Sequence, residues 1–96
     1  MDKTAIIAIT KNGISIASSL QKQFPSWEIF SPSKLSNNDP KIQWFDETTT
    51  LKIKELFGSH DALICIFSLG AAVRLIAPHL KDKKTDPAVV VIDDTG

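Results

Sequence analysis

The strands of this chain are marked by continuous apolar runs, not by alternating ones. Ala5-Ile6-Ile7-Ala8-Ile9 is one such run, and Ala62 to Phe67 is another, six residues long between Asp61 and Ser68. A run that is apolar at every position suits a strand covered on both faces, as in a parallel sheet. Ala88 to Ile92 reads as the last strand, and Trp27 to Phe30 as a short second one. Between them the period changes. Ile16, Ala17, Leu20 and Phe24 recur at helical spacing and predict one buried stripe on a first helix, which Phe24-Pro25 stops. Thr10-Lys11-Asn12-Gly13 reads as the turn that leads into it.

A second helix is expected from about Glu47 to Phe57, with Ile53, Leu56 and Phe57 inward and Gly58 as its C′ residue. A third begins near Leu69 or Gly70, buries Val73, Ile76, Ala77 and Leu80, and ends or kinks at Pro78. Ser31 to Lys41 is polar and rich in turn formers, hence a surface loop. Ile42, Trp44 and Phe45 return the chain to the core, either as an extra strand or as packing.

Alternating strands and helices with short connections imply right-handed crossovers. The expected fold is an open, mostly parallel α/β sheet of four or five strands with helices on both faces, in flavodoxin-like or Rossmann-like order. The predicted order is second strand, first strand, Ala62 strand, Ala88 strand. The chain reverses direction between the first strand and the Ala62 strand, so a crevice is expected at their carboxyl ends.

Composition narrows the partners. The 96 residues make one domain, and 43% of them are hydrophobic. A chain of this length buries about 60–65% of its unfolded surface. Eleven basic side chains balance eleven acidic ones, which argues against nucleic acid as a partner. No apolar run approaches the ~18–20 residues that span a bilayer, so no membrane partner is expected, and no signal-peptide pattern opens the chain. A single cysteine, Cys65, forms no internal disulfide and suits a cytoplasmic location, where it reads as a buried, inert thiol. With His60 and His79 as the only histidines, a protein-ligated zinc site is not expected.

The candidate chemistry lies between Asp61 and Gly96. Ser68, Gly70 and Ala71 form a strand-to-helix turn. There the glycine either avoids a clash or lets an anionic ligand approach the free N–H groups of the helix start. No GxGxxG and no P-loop lysine accompany it, so no nucleotide cofactor is expected. Arg74, the only arginine, is expected in the first turns of its helix, where a cation opposes the macrodipole at a cost of about 0.3–1 kcal/mol. Either an ion pair with Asp93 or Asp94 or a bidentate carboxylate ligand would offset that. Lys83 and Lys84 stand in a lysine-rich loop expected to return toward Arg74. Asp86, before Pro87, opens the last strand and Asp93 closes it.

Gly70-Ala71-Ala72-Val73-Arg74-Leu75-Ile76-Ala77-Pro78, followed by Lys81-Asp82-Lys83-Lys84-Thr85-Asp86-Pro87 and Ala88 to Asp93, resembles the N-terminal region of the cobalamin biosynthesis family CbiG. The close resemblance covers Ala62 to Gly96, and residues 1 to 60 fit as a loose α/β lead-in. It implies the opening of a δ-lactone on a cobalt-corrinoid (precorrin), with release of a two-carbon bridge as acetaldehyde. The cobalt then arrives with the substrate, and no cofactor is expected. Asp93 and Asp86 become the candidate catalytic carboxylates, positioning or deprotonating water. Ser68, Gly70, Ala71, Arg74, Lys83, Lys84 and Asn12 become the candidate substrate-binding residues, with the Gly70 helix start as an oxyanion site. In the family the matching strand leads into a GHxGGAN-type segment and further domains. This chain is therefore expected to be truncated at Gly96, with missing C-terminal domains or a second copy in a homodimer as its protein partners. The alternative from another class is a noncatalytic α/β ligand-binding or domain-interface module of a cobalamin biosynthesis protein, in which Arg74 pairs internally with an aspartate.

Overall fold

The computed structural model describes residues 3–81 and 86–94. Five strands form one sheet: β1 (Thr4–Ala8), β2 (Glu28–Pro32), β3 (Ile42–Phe45), β4 (Ala62–Ile66) and β5 (Ala88–Ile92). Every pairing is parallel and the order is β3-β2-β1-β4-β5. This is the Rossmann-like order, with the reversal between β1 and β4 where the sequence placed it. The Ile42 segment is a full edge strand.

Three helices cover the sheet: α1 (Lys11–Gln23), α2 (Thr49–Ser59) and α3 (Leu69–Ile76). α1 packs Ile14 and Ala17 against Ile6, Ala8, Ile29, Ile64 and Ile66 on one face. On the other face α2 and α3 bury Ile53, Leu56, Ala72 and Ile76 against Ile7, Leu63 and Cys65. β1 is buried along its whole length, and Thr4 at its start is its one polar residue.

Each helix starts on a hydroxyl. Thr10 Oγ1 accepts from the Gly13 N–H at 2.9 Å, Thr48 Oγ1 from Leu51 at 3.2 Å, and Ser68 Oγ from Ala71 at 3.2 Å. The expected Thr10–Gly13 turn is therefore the N-cap and first turn of α1. At Gly13 α1 lies close to the sheet, because a Cβ there would stand 3.1 Å from Ile66 O and 3.3 Å from Ala8 Cβ.

Several expectations are corrected. Phe24 caps α1 and is exposed, stacked on Trp27 at 4.1 Å between centroids instead of buried in the stripe. α2 starts and ends about two residues later than expected, and Gly58 lies inside it with no left-handed φ, so it is not a C′ residue. In α3, Ile76 is buried as expected, but Val73, Ala77 and Leu80 are exposed. Ala71 and Ala72 take the inward positions beside Ile76. Pro78 falls in a 3-10 turn, Ala77–His79, directly after α3.

At the amino ends of the strands, His60 anchors α2 to the sheet. Its Nε2 lies 2.7 Å from Glu28 Oε1, and Gln43 Nε2 donates to the other carboxylate oxygen at 3.0 Å. The hydrogen bond to His60 holds the Glu28 carboxyl below its ordinary range.

Candidate functional site at the carboxyl rim of the sheet

In a parallel sheet every strand delivers its exit residues to the same rim. Here these are Thr10, Ser33, Asp46 with Glu47, Ser68, and Asp93 with Asp94. The starts of α1, α2 and α3 lie at that rim too, so three sets of helix N–H groups and their partial positive charge gather there.

At the switch point, Thr10 Oγ1 donates to Asp94 Oδ2 at 2.5 Å and Asn12 Nδ2 donates to Asp94 O at 2.9 Å. β1 and β5 are not neighbours, so these bonds span the end of β4. Asp94 Oδ1 is buried and has no hydrogen-bond partner among the described residues. Asn12, expected to bind substrate, thus has its amide committed to the main chain of Asp94. Asp93 stands beside this knot.

Across β4 lies the start of α3. Ser68 caps it, and the Ala71 N–H is taken by that cap. A Cβ on Gly70 would meet nothing within 4 Å and the residue has no left-handed φ, so packing does not require glycine there. Arg74 lies one turn below Gly70 on the same exposed side, and helical side chains lean toward the N-terminus, so the arginine leans toward the glycine. α3 is only eight residues long, which puts Arg74 in its last turn, not its first. The expected dipole cost is absent there, because a cation near a helix C-terminus is favoured. Arg74 makes no ion pair among the described residues.

The loop residues separate from this group. Asp86 precedes the first residue of β5, at the amino end of the sheet, where its Oδ2 accepts from the Lys81 N–H at 2.6 Å. A five-residue strand, roughly 17 Å long, stands between it and Asp93. Asp86 and Asp93 therefore do not share a site. Lys83 and Lys84 lie outside the described residues.

Sequence reasoning missed a cavity of about 530 Å³ at the same rim, over the ends of β1, β2 and β3. Its wall includes Ile9, Ser33, Lys34, Phe45, Asp46 and Glu47. The loop reading of Ser31–Lys41 hid Ser33 and Lys34, but Asp46-Glu47 at a strand exit was the same signal as Asp93-Asp94. Behind the cavity is a buried lysine. Lys52 Nζ lies 3.2 Å from both Glu47 Oε2 and Glu55 Oε2, and 5.5 and 5.6 Å from the ring centroids of Phe30 and Phe45. Its two aromatic neighbours and two carboxylates offset the desolvation of the ammonium. Glu47's own backbone N–H, then Lys52, hold its carboxyl below the usual value.

The chain is a Rossmann-ordered α/β domain with polar groups at its carboxyl rim, the end at which open α/β sheets bind ligands. The relatives are more particular. Residues 52–96 match the family described as Cobalamin synthesis G N-terminal. The chain is 50% identical over 95 residues, 96% of its length, to a cobalt-precorrin-5A hydrolase of Priestia megaterium. It is 35% identical over 95 residues to a cobalt-precorrin-5A hydrolase of Salmonella typhimurium strain LT2, with 99% of the chain aligned. The likeness thus extends through the first 60 residues, beyond the loose fit expected there. The chain spans 25% and 26% of the length of these two relatives. No solved structure matches significantly.

Proposed function

We propose that this chain is the N-terminal, substrate-gripping domain of a cytoplasmic cobalt-precorrin-5A hydrolase. The observation that carries the proposal is the 50% identity with a hydrolase of that name across nearly the whole chain. The carboxyl rim supplies what such a substrate needs. Arg74 and Lys34 offer cations to carboxylate arms, and the open approach over Gly70 leads to the start of α3. In the reaction, water adds to the lactone carbonyl and the ring oxygen leaves, producing a carboxylate and a hydroxyl; the two-carbon bridge then departs as acetaldehyde. Helix N–H groups at the Gly70 turn oppose the negative charge of the tetrahedral intermediate. Asp93, at the same rim, is the carboxylate assigned to the attacking water, and Asp86 is set aside because it lies at the other end of the sheet. Cobalt enters as part of the substrate.

A purely structural role for Arg74 rested on an internal ion pair, and none is present among the described residues. Arg74→Ala therefore tests the reading. Titration with cobalt-precorrin-5A, followed by the visible absorption of the corrinoid, is expected to show binding weakened by about ten-fold, or ~1.4 kcal/mol. The melting temperature should move by less than about 2 °C, since an exposed side chain contributes little. Unchanged affinity would remove Arg74 from the site.

A further inference from the structure

The third helix and the last strand carry more apolar surface than this domain buries. Leu69 is 62% exposed, Val73 61%, Leu80 54%, Val90 52% and Val91 37%. Leu69, Val73 and Ala77 follow at intervals of four and form one ridge that runs along α3 to the start of the 3-10 turn. Ala71, on the opposite flank, and Ala72 turn into the cluster shared with α2. The ridge accordingly lies on the flank away from α2, toward the outer side of β5.

β5 is the last strand of the sheet, so one of its hydrogen-bonding edges is open. Val91 pairs with Cys65, which belongs to the core on the α3 face, and Val90 pairs with Ile64, which belongs to the core on the α1 face. Both faces of the edge strand are thus apolar and both are exposed. Natural edge strands are kept from pairing by charges, prolines or bulges. Within Ala88–Ile92 there are none.

We propose that this edge and the Leu69–Val73–Ala77 ridge receive a β-strand with its covering segment from the remaining three-quarters of a full-length cobalt-precorrin-5A hydrolase, extending the sheet past β5. The inference rests on the likeness to full-length hydrolases and not on the lactone chemistry. A second copy of this chain fits the edge poorly. Antiparallel self-pairing about Val90, the register that uses all of β5, sets Asp86 opposite Asp94 and Asp93 opposite Pro87. Like charges face to face are destabilising, and proline has no N–H to give. The incoming strand is therefore apolar with uncharged or basic flanks. Its backbone supplies the hydrogen bonds and its side chains fill the ridge, as in strand addition.

Hydrogen–deuterium exchange tests this on three proteins: the 96-residue chain, the full-length Priestia megaterium hydrolase, and a chimera in which this chain replaces the aligned part of that hydrolase. The β5 amides that point away from β4 should exchange fast in the chain alone. In the chimera, and in the strand of the natural hydrolase aligned with β5, they should exchange at least about ten-fold more slowly. Val90→Lys in the chimera should restore fast exchange, and Leu51→Lys, an equally exposed position on α2, should not. Equal rates in the short and full-length proteins would overturn the proposal. So would a concentration-dependent dimer of the short chain that protects the same amides, which would assign the edge to a second copy. Acetaldehyde release by the chimera is scored separately: activity with an unprotected β5 defeats the docking proposal alone, whereas protection without activity supports docking and counts against the functional reading alone.

Discussion

Replacing Gly70 by alanine separates a packing role from a ligand role at one position. A methyl group there would meet no atom within 4 Å, and the backbone is not left-handed. Nothing in the fold therefore penalises alanine, while glycine in a helix costs about 0.5–1 kcal/mol through the freedom that it loses on folding. Gly70 is in the first turn of α3, so the lower end, ~0.5 kcal/mol, is the expected gain. In a domain of this size that corresponds to a rise in melting temperature of roughly 2–4 °C. Gly58→Ala, inside α2 with the same open surroundings, is the reference and should gain ~0.5–1 kcal/mol. If the bare Cα of Gly70 is what lets the substrate reach the start of α3, the more stable Gly70→Ala protein should bind cobalt-precorrin-5A about ten-fold more weakly, while Gly58→Ala binds normally. Thermal melts by circular dichroism and the absorption titration provide both readings. Loss of stability in Gly70→Ala would refute the packing argument, and unchanged affinity would refute the approach argument.

Gly13→Ala is expected to go the other way: the three contacts at 3.1–3.3 Å include the Ile66 carbonyl oxygen in the buried sheet, and overpacking of about 1–3 kcal/mol exceeds the helix gain. A net loss of about 1 kcal/mol in denaturant unfolding is the outcome; a gain would mean that α1 retreats freely. Glu28, whose folded-state carboxyl is held below its ordinary value by His60, adds stability that is present above the ordinary carboxylate range and disappears as the pH falls through the lowered value. The melting-temperature gap between the wild type and Glu28→Gln should thus be open at neutral pH and close on acidification, and a gap that stays constant would reject the linkage. The Cys65 thiol, pushed up to about 12 by burial, should resist a thiol reagent in the folded chain at about pH 8 and react on unfolding; fast labelling of the native protein would contradict its burial.

Continuous apolar runs made the parallel sheet and its switch point legible, because only strands covered on both faces tolerate them. β3 stayed undecided because Ile42-Gln43-Trp44-Phe45 is a short edge strand with a mixed pattern. The inner face of α3 was misread for a different reason. Val73, Ala77 and Leu80 share the helical spacing of the buried Ile76, and spacing marks apolar positions without saying what they meet. Arg74's position in its helix depended on where α3 ended, and the 3-10 turn at Pro78 shortened it. Asp86 was grouped with Asp93 because both lie in the stretch that carries the family resemblance. The topology decides otherwise, since the residue before a parallel strand and the residue after it lie at opposite ends of the sheet. Lys52 was unreadable because its burial depends on Glu47, Glu55, Phe30 and Phe45 meeting in space.

The knot that Asp94 makes with Thr10 and Asn12 bears on which molecules can settle beside α1. In dinucleotide-binding sheets of this strand order, the opening of the first helix is where a pyrophosphate docks. Here a side-chain anion supplied by the chain is already seated at that helix opening, held by the Thr10 hydroxyl, with the Asn12 amide on its main chain. Any incoming phosphate must evict that internal tenant and leave a carboxylate without its hydroxyl donor. The Thr10 hydroxyl and the Asn12 amide at the opening of α1 are thereby engaged by this chain's own Asp94.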